Sequence, residues 1–187
     1  MIRTTTYRMR IILLMSLFGM LFFQRLQAQT YSEYEVKAAF LFNFGKFVDW
    51  PEKAFETPES PIIIAVVGDD PFGEVLDNIV KGRTTNGRTW QVKRYQQWRD
   101  VGECHILFVS GSERLRIREI LDMVKNKPVL TVGDEIEEFC QLGGIINFSN
   151  RQSKYGFQIN KVTADQKKIR ISSKLLMLAK IIKPYGS

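Results

Sequence analysis

Three short apolar runs constrain the fold of this chain more than any other feature: residues 62–67, 105–110 and 129–132. Each is too short for an ordinary helix and continuous instead of alternating, the pattern of a strand covered on both faces. Their far ends carry small or polar residues, Gly68-Asp69-Asp70, Ser110-Gly111-Ser112 and Gly133-Asp134. Phe72, Val75, Leu76 and Ile79 follow the first run at helical spacing, with Pro71 at a natural first helical position. Ile117, Ile120, Leu121 and Val124 repeat that pattern behind Ser112, a candidate cap. Asp134 and Glu137 have capping-box spacing ahead of a short helix to about Gln141.

Further strands are expected over 89–95, 145–148 and 155–160, and the short polar link 149–153 makes the last two an antiparallel hairpin. Leu175, Leu178, Ala179 and Ile182 share a helical face that Pro184 closes. The expected architecture is α/β: a single-domain sandwich with a mixed, mostly parallel sheet of about six strands and helices on both faces.

Ahead of the first run lies an aromatic stretch, residues 34–51. Ser32 and Glu35 form a capping box, and Pro51 bars Trp50 from helical geometry, so a helix of about five turns is expected. From Ala38 to Val48 its apolar residues cover nearly every face. Two readings stay open: the helix is core, or part of its aromatic surface, with Tyr34, Phe40, Phe44, Phe47 and Trp50 as candidates, docks another protein.

Residues 1–10 carry Arg3, Arg8 and Arg10 and no acid, and 11–23 are apolar except for Ser16 and Gly19. These are the two opening regions of an export signal, and the apolar run falls short of the ~20 residues that a membrane span takes. Cleavage is expected after Ala28, making 1–28 a signal peptide and 29–187 one domain; a retained anchor is the alternative. Loss of the leader's four arginines takes the net charge from +7 to +3, which gives little reason to propose a nucleic-acid partner.

In an open α/β sheet the crevice beyond the strands' carboxyl ends is the usual ligand site. Asp69, Asp70, Ser110, Ser112 and Asp134 are its candidates here, either as helix caps or as ligands of a small polar molecule or cation. Cys104 and Cys140 fall at the opposite edge, where a disulfide between them is a candidate. His105, the single histidine, has no spaced partner to hold a metal and lies away from Ser110 and Ser112. No glycine-rich phosphate cradle, CxxC or HExxH occurs, so no catalytic residues, metal or cofactor are assigned.

The order K-A-A-F-L-F-N-F-G-K-F-V-x-W-P over residues 37–51 resembles the opening signature of the YfiR family of periplasmic regulators. Residues 67–73, Gly82-Arg83, 104–108, 128–132, 143–148 and 171–176 agree with it in order. The resemblance implies a non-enzymatic periplasmic protein that represses an inner-membrane diguanylate cyclase, or a similar membrane signalling protein, by contact. Such a protein lowers cyclic-di-GMP and biofilm formation. A homodimer is left open, and a periplasmic small-molecule sensing domain is the alternative. Relatives commonly carry more cysteines, so Cys104 and Cys140 are also readable as survivors of two separate bridges.

Overall fold

The computed structural model describes residues 32–151 and 154–186; the expected signal peptide and its cleavage point lie outside them. The chain enters helix α1, Glu33–Lys46, through the expected capping box, in which Ser32 Oγ accepts from Glu35 N–H and Glu35 accepts from Ser32 N–H. Strand β1 (Val48–Asp49) follows, then β2 (Ile62–Val67), helix α2 (Glu74–Val80), β3 (Thr84–Thr85) and β4 (Arg88–Tyr95). Strand β5 (Ile106–Val109) leads through a 3-10 turn, Gly111–Arg116, to α3 (Ile117–Met123) and β6 (Leu130–Gly133). The hairpin β7 (Ile146–Arg151) and β8 (Lys154–Ile159), helix α4 (Lys161–Gln166), β9 (Arg170–Ile171), α5 (Ser173–Leu176) and β10 (Lys180–Ile181) complete it.

One eight-stranded sheet runs β10-β8-β7-β6-β5-β2-β4-β3. Its centre is parallel, from β4 through β2, β5 and β6 to β7. The hairpin and the β3–β4 pair are antiparallel. β1 and β9 form a separate antiparallel pair, with Val48 opposite Ile171. The expected α/β sandwich is therefore present, and the six expected strands are those of four or more residues.

Period-two geometry divides each central strand between two apolar layers. Ile64, Val66, Ile106, Phe108, Leu130 and Val132 face one layer, shared with α1 and α2. Ala65, Val67, Leu107 and Val109 face the other, under Ile117, Ile120 and Leu121 of α3. Residues from Ser32 onward form one compact unit.

Four local expectations are corrected. Helix α1 stops at Lys46, short of Pro51, because Val48 and Asp49 leave to pair with β9 and Phe47 N–H turns back onto Asn43 O and Phe44 O. Helix α2 begins at Glu74, not at Pro71: Asp70 Oδ1 accepts from Phe72 N–H and holds a turn there. No helix follows Asp134; the chain passes through turns in which Glu135 and Glu138 take left-handed φ values of 56° and 55°, incompatible with a continuous right-handed helix. The C-terminal helix is a single turn, because the chain instead pairs β10 with the free edge of β8, Ile181 opposite Ile159.

Candidate functional site

The carboxyl ends of β2, β5 and β6 meet along one edge, and the first turn of α1 lies against it through Lys37. This lysine sits on the α1 stripe with Leu41 and Phe44, which are buried in the apolar layer, and is itself only 3% exposed. A buried ammonium needs partners. Its Nζ donates to Asp134 Oδ1 at 2.6 Å, Glu135 Oε1 at 2.9 Å and Glu33 Oε1 at 2.5 Å. Tyr34 OH donates to Asp134 Oδ2 at 3.2 Å. Burial opposes the charge on Lys37, but the hydrogen bonds to the three carboxylates outweigh it and raise its pKa above the ordinary lysine value. The bond from Lys37 lowers the pKa of Glu33 in turn.

Further along this edge the crevice candidates hold one another. Asp69 N–H donates to Ser112 Oγ at 3.0 Å, and Ser112 N–H to Ser110 Oγ at 3.4 Å. Gly68, at φ +87°, passes so close that a Cβ there would stand 2.5 Å from Ser112 Oγ. Asp70 Oδ2 accepts from Arg94 Nε at 2.6 Å, while the same guanidinium reaches Gly73 O at 2.7 Å and the Asp77 carboxylate. Asp77 first, then Asp70, raises the pKa of Arg94.

The structure thus gathers Asp69, Ser110 and Ser112 through Asp69 N–H and the two serine hydroxyls and sets Asp70 against Arg94, while Asp69 itself is exposed. Asp134 is corrected from a helix cap to the counter-ion of Lys37. Lys37 and Arg94 were missed in the sequence. The available signal for Lys37 was a lone cation at i, i+4, i+7 spacing with Leu41 and Phe44 on an apolar stripe.

The docking candidates separate by burial. Phe44 is fully buried, its ring 5.0 Å from Phe157 and 5.7 Å from Phe148, and is corrected from docking surface to core. Phe40 is half-buried against Phe44, Phe148 and Phe157. Tyr34 is half-buried, edge-on to Phe72, and Trp50 packs edge-on to Phe55 and His105. Of the five, Phe47 alone is exposed.

At the opposite edge His105 is structural. Its Nδ1 accepts from Ile63 N–H at 3.1 Å, which leaves Nε2 to donate to Ala54 O at 2.9 Å. Phe55 stacks on the ring at 4.3 Å, and burial lowers its pKa. Cys104 and Cys140 border one apolar layer as free thiols, so the candidate disulfide is not formed here. Cys140 Sγ instead donates to Ile145 O at 3.7 Å, and burial pushes both thiols up to about 12. A groove of about 600 Å³ opens beside Cys104, His105, Glu103 and Lys127. Among the described residues no group of three or more His, Cys, Asp or Glu is placed to hold a metal ion.

No helix among the described residues is long and apolar enough to cross a membrane. Residues 34–180 match the family described as YfiR/HmsC-like, a span that takes in every element from α1 to the start of β10. No curated protein matches the sequence.

Proposed function

Because the chain belongs to the YfiR/HmsC-like family of periplasmic regulatory proteins, we propose that it restrains an inner-membrane signalling protein, a diguanylate cyclase or a relative of one, by direct contact. Released from restraint, the cyclase raises cyclic-di-GMP and biofilm formation. The observation that carries this reading is the family match across nearly the whole described fold. The geometry supports it: at the carboxyl edge of the sheet Asp70, Asp134, Ser110 and Ser112 are engaged with the chain's own atoms.

The energy required is small. An inhibitor shifts a two-state receptor only by its differential affinity for the two states, and a tenfold shift takes about 1.4 kcal/mol. Exposed Phe47, beside half-buried Trp50, is the part of the aromatic stretch still open to a partner. Deleting the gene is expected to raise cyclic-di-GMP, and Phe47→Asp to reproduce the deletion while leaving the thermal midpoint nearly intact. Unchanged cyclic-di-GMP in a deletion strain that expresses its cyclase would sink this reading.

One observation favours the second reading, a small-molecule sensor: the groove beside Cys104 and His105. In that case a ligand protects the Cys104 thiol from alkylation, and the deletion leaves cyclic-di-GMP unchanged.

A further inference from the structure

Four large apolar side chains stand in solvent between residues 177 and 185: Met177 at 78% exposure, Leu178 at 71%, Ile181 at 51% and Tyr185 at 61%. Among the described residues only Phe47 and Leu115 join them as exposed large hydrophobics, so the exposure is concentrated at one place in the fold. That place is the outer rim of the sheet, where α5 gives way to β10, which has β8 on one side and, among the described residues, no strand on the other.

Along the sequence the same segment carries charge of a single sign, with two acids from elsewhere in the chain reaching it: Glu138 accepts from Tyr185 OH, and Asp49 pairs with Arg170 at 3.6 Å. Of the chain's 27 Lys and Arg, four lie in residues 1–31 and six in 166–187, while all 20 Asp and Glu lie between those two segments. The middle, with the remaining 17 cations, is therefore net −3, and the last 22 residues are +6 with no acid. Lys174, Lys180 and Lys183 are all exposed, interleaved with the four apolar side chains.

We propose that this C-terminal rim docks on the surface of an anionic phospholipid bilayer, the apolar side chains entering the headgroup boundary and the lysines pairing with lipid phosphates. Three features favour lipid over protein. Interfaces between proteins are depleted in lysine, whereas lysine beside exposed Leu, Ile and Tyr suits a membrane surface, its stem on apolar ground and its ammonium among headgroups. Lysine on an edge strand is also a usual device against strand addition, which disfavours a second copy at β10. The three exposed lysines, set among the apolar side chains, draw this rim toward a negative plane. This contact does not depend on which signalling protein is restrained.

Each lysine near such a surface is worth about fivefold in partition, or about 1 kcal/mol. The test is sedimentation of the protein, purified from its expressing host with its N-terminus established by mass spectrometry, with vesicles of phosphatidylglycerol and phosphatidylcholine. Vesicles of phosphatidylcholine alone are the comparison. Binding is expected to the charged vesicles only, weakening as salt rises. The triple variant Lys174→Glu, Lys180→Glu, Lys183→Glu should lower partition by at least about a hundredfold. Met177→Ser with Leu178→Ser should lower it by about tenfold or more, from lost apolar burial. Lys81→Glu, which flanks the same groove as Arg94 of β4, should leave it unchanged. Thermal midpoints confirm that each variant is folded. Equal partition into both vesicle types, or a triple variant that binds like the parent, overturns the proposal. Absence of vesicle binding also overturns it; a dimer that Ile181→Lys dissociates then assigns the rim to a second copy.

Discussion

Helix α1 and the segment after α5 are similarly rich in apolar residues, yet α1 puts Ala38, Leu41, Phe42 and Phe44 into the core while Met177 and Leu178 stand in solvent. The difference lies in what each segment finds to pack against. Helix α1 is 14 residues long, capped at its start, and lies on an open sheet face between Trp90 and the hairpin aromatics Phe148 and Phe157. The C-terminal segment reaches the end of the sheet behind α5, and the buried large side chain there, Leu175, belongs to α5 itself. The available partner is a row of backbone groups on β8, and Ile182 N–H donates to Ile159 O at 2.8 Å. Satisfying that backbone fixes the pleat, so Ile181 faces out while Ile182 packs against the second layer.

Helix α1 is seated by one buried ion cluster as well as by aromatic burial, and the largest expected effect removes that cluster's cation. Lys37→Met leaves Asp134, Glu33 and Glu135 close together without a counter-charge. Urea unfolding is expected to show a loss of about 3–5 kcal/mol, the usual result of orphaning a buried charge. Adding Asp134→Asn should restore part of it. A double-mutant cycle with no interaction energy would mean that apolar burial alone seats α1, and the contrast with the C-terminus would reduce to area.

That cluster also marks where sequence reading ended. Three of the six long strands were legible as continuous apolar runs, and the other three from alternation and the turn signals that flank them. The two-residue strands β1, β3, β9 and β10 were not, since backbone pairing of that length leaves no side-chain pattern. Asp134 was misread because the spacing to Glu137 satisfies a capping box locally, while the partner that claims its carboxylate lies 97 residues away in the sequence. The crevice residues were placed at the correct edge from topology alone. What topology leaves open is whether such side chains face a ligand or each other; Arg94 answered Asp70, and nothing in the spacing of those two residues announced it. The C-terminal helix failed for the opposite reason, its periodicity being real but overridden by a free sheet edge.

A smaller effect tests the exit from α1. The chain leaving it is pinned where Trp50 and Phe55 pack on His105, whose two ring nitrogens are engaged by Ile63 and Ala54. Burial lowers the pKa of this histidine, so the folded state resists a proton that the unfolded chain accepts. Its contribution is therefore fully present above the unfolded pKa of about 6.5 and falls away as pH drops through the window just below. The slope there should not exceed about 1.4 kcal/mol per pH unit for one proton. Urea midpoints measured from about pH 7.5 to about pH 5.5, roughly one unit either side of 6.5, are expected to fall in the parent and flatten in His105→Asn. An equal slope in both would place the acid sensitivity elsewhere and remove His105 from the account of how α1 is held.

The smallest expected effect comes from the other member of the pair. If Leu178 is as free in the folded protein as its exposure indicates, it loses little contact with water on folding, and Leu178→Ser removes almost no burial. Stability should change by less than about 0.5 kcal/mol, the range of surface substitutions. Leu175→Ser, three residues earlier and buried, should cost several times more, because it both opens a cavity and buries a hydroxyl. The pair is informative because the two leucines share a sequence neighbourhood and differ in exposure. A large loss for Leu178→Ser in urea unfolding would show that the rim is covered in the folded protein, and the contrast between a buried first helix and an open C-terminal edge would no longer hold. A loss seen only at high protein concentration would locate the cover in a second copy, since stability drawn from association rises with protomer concentration.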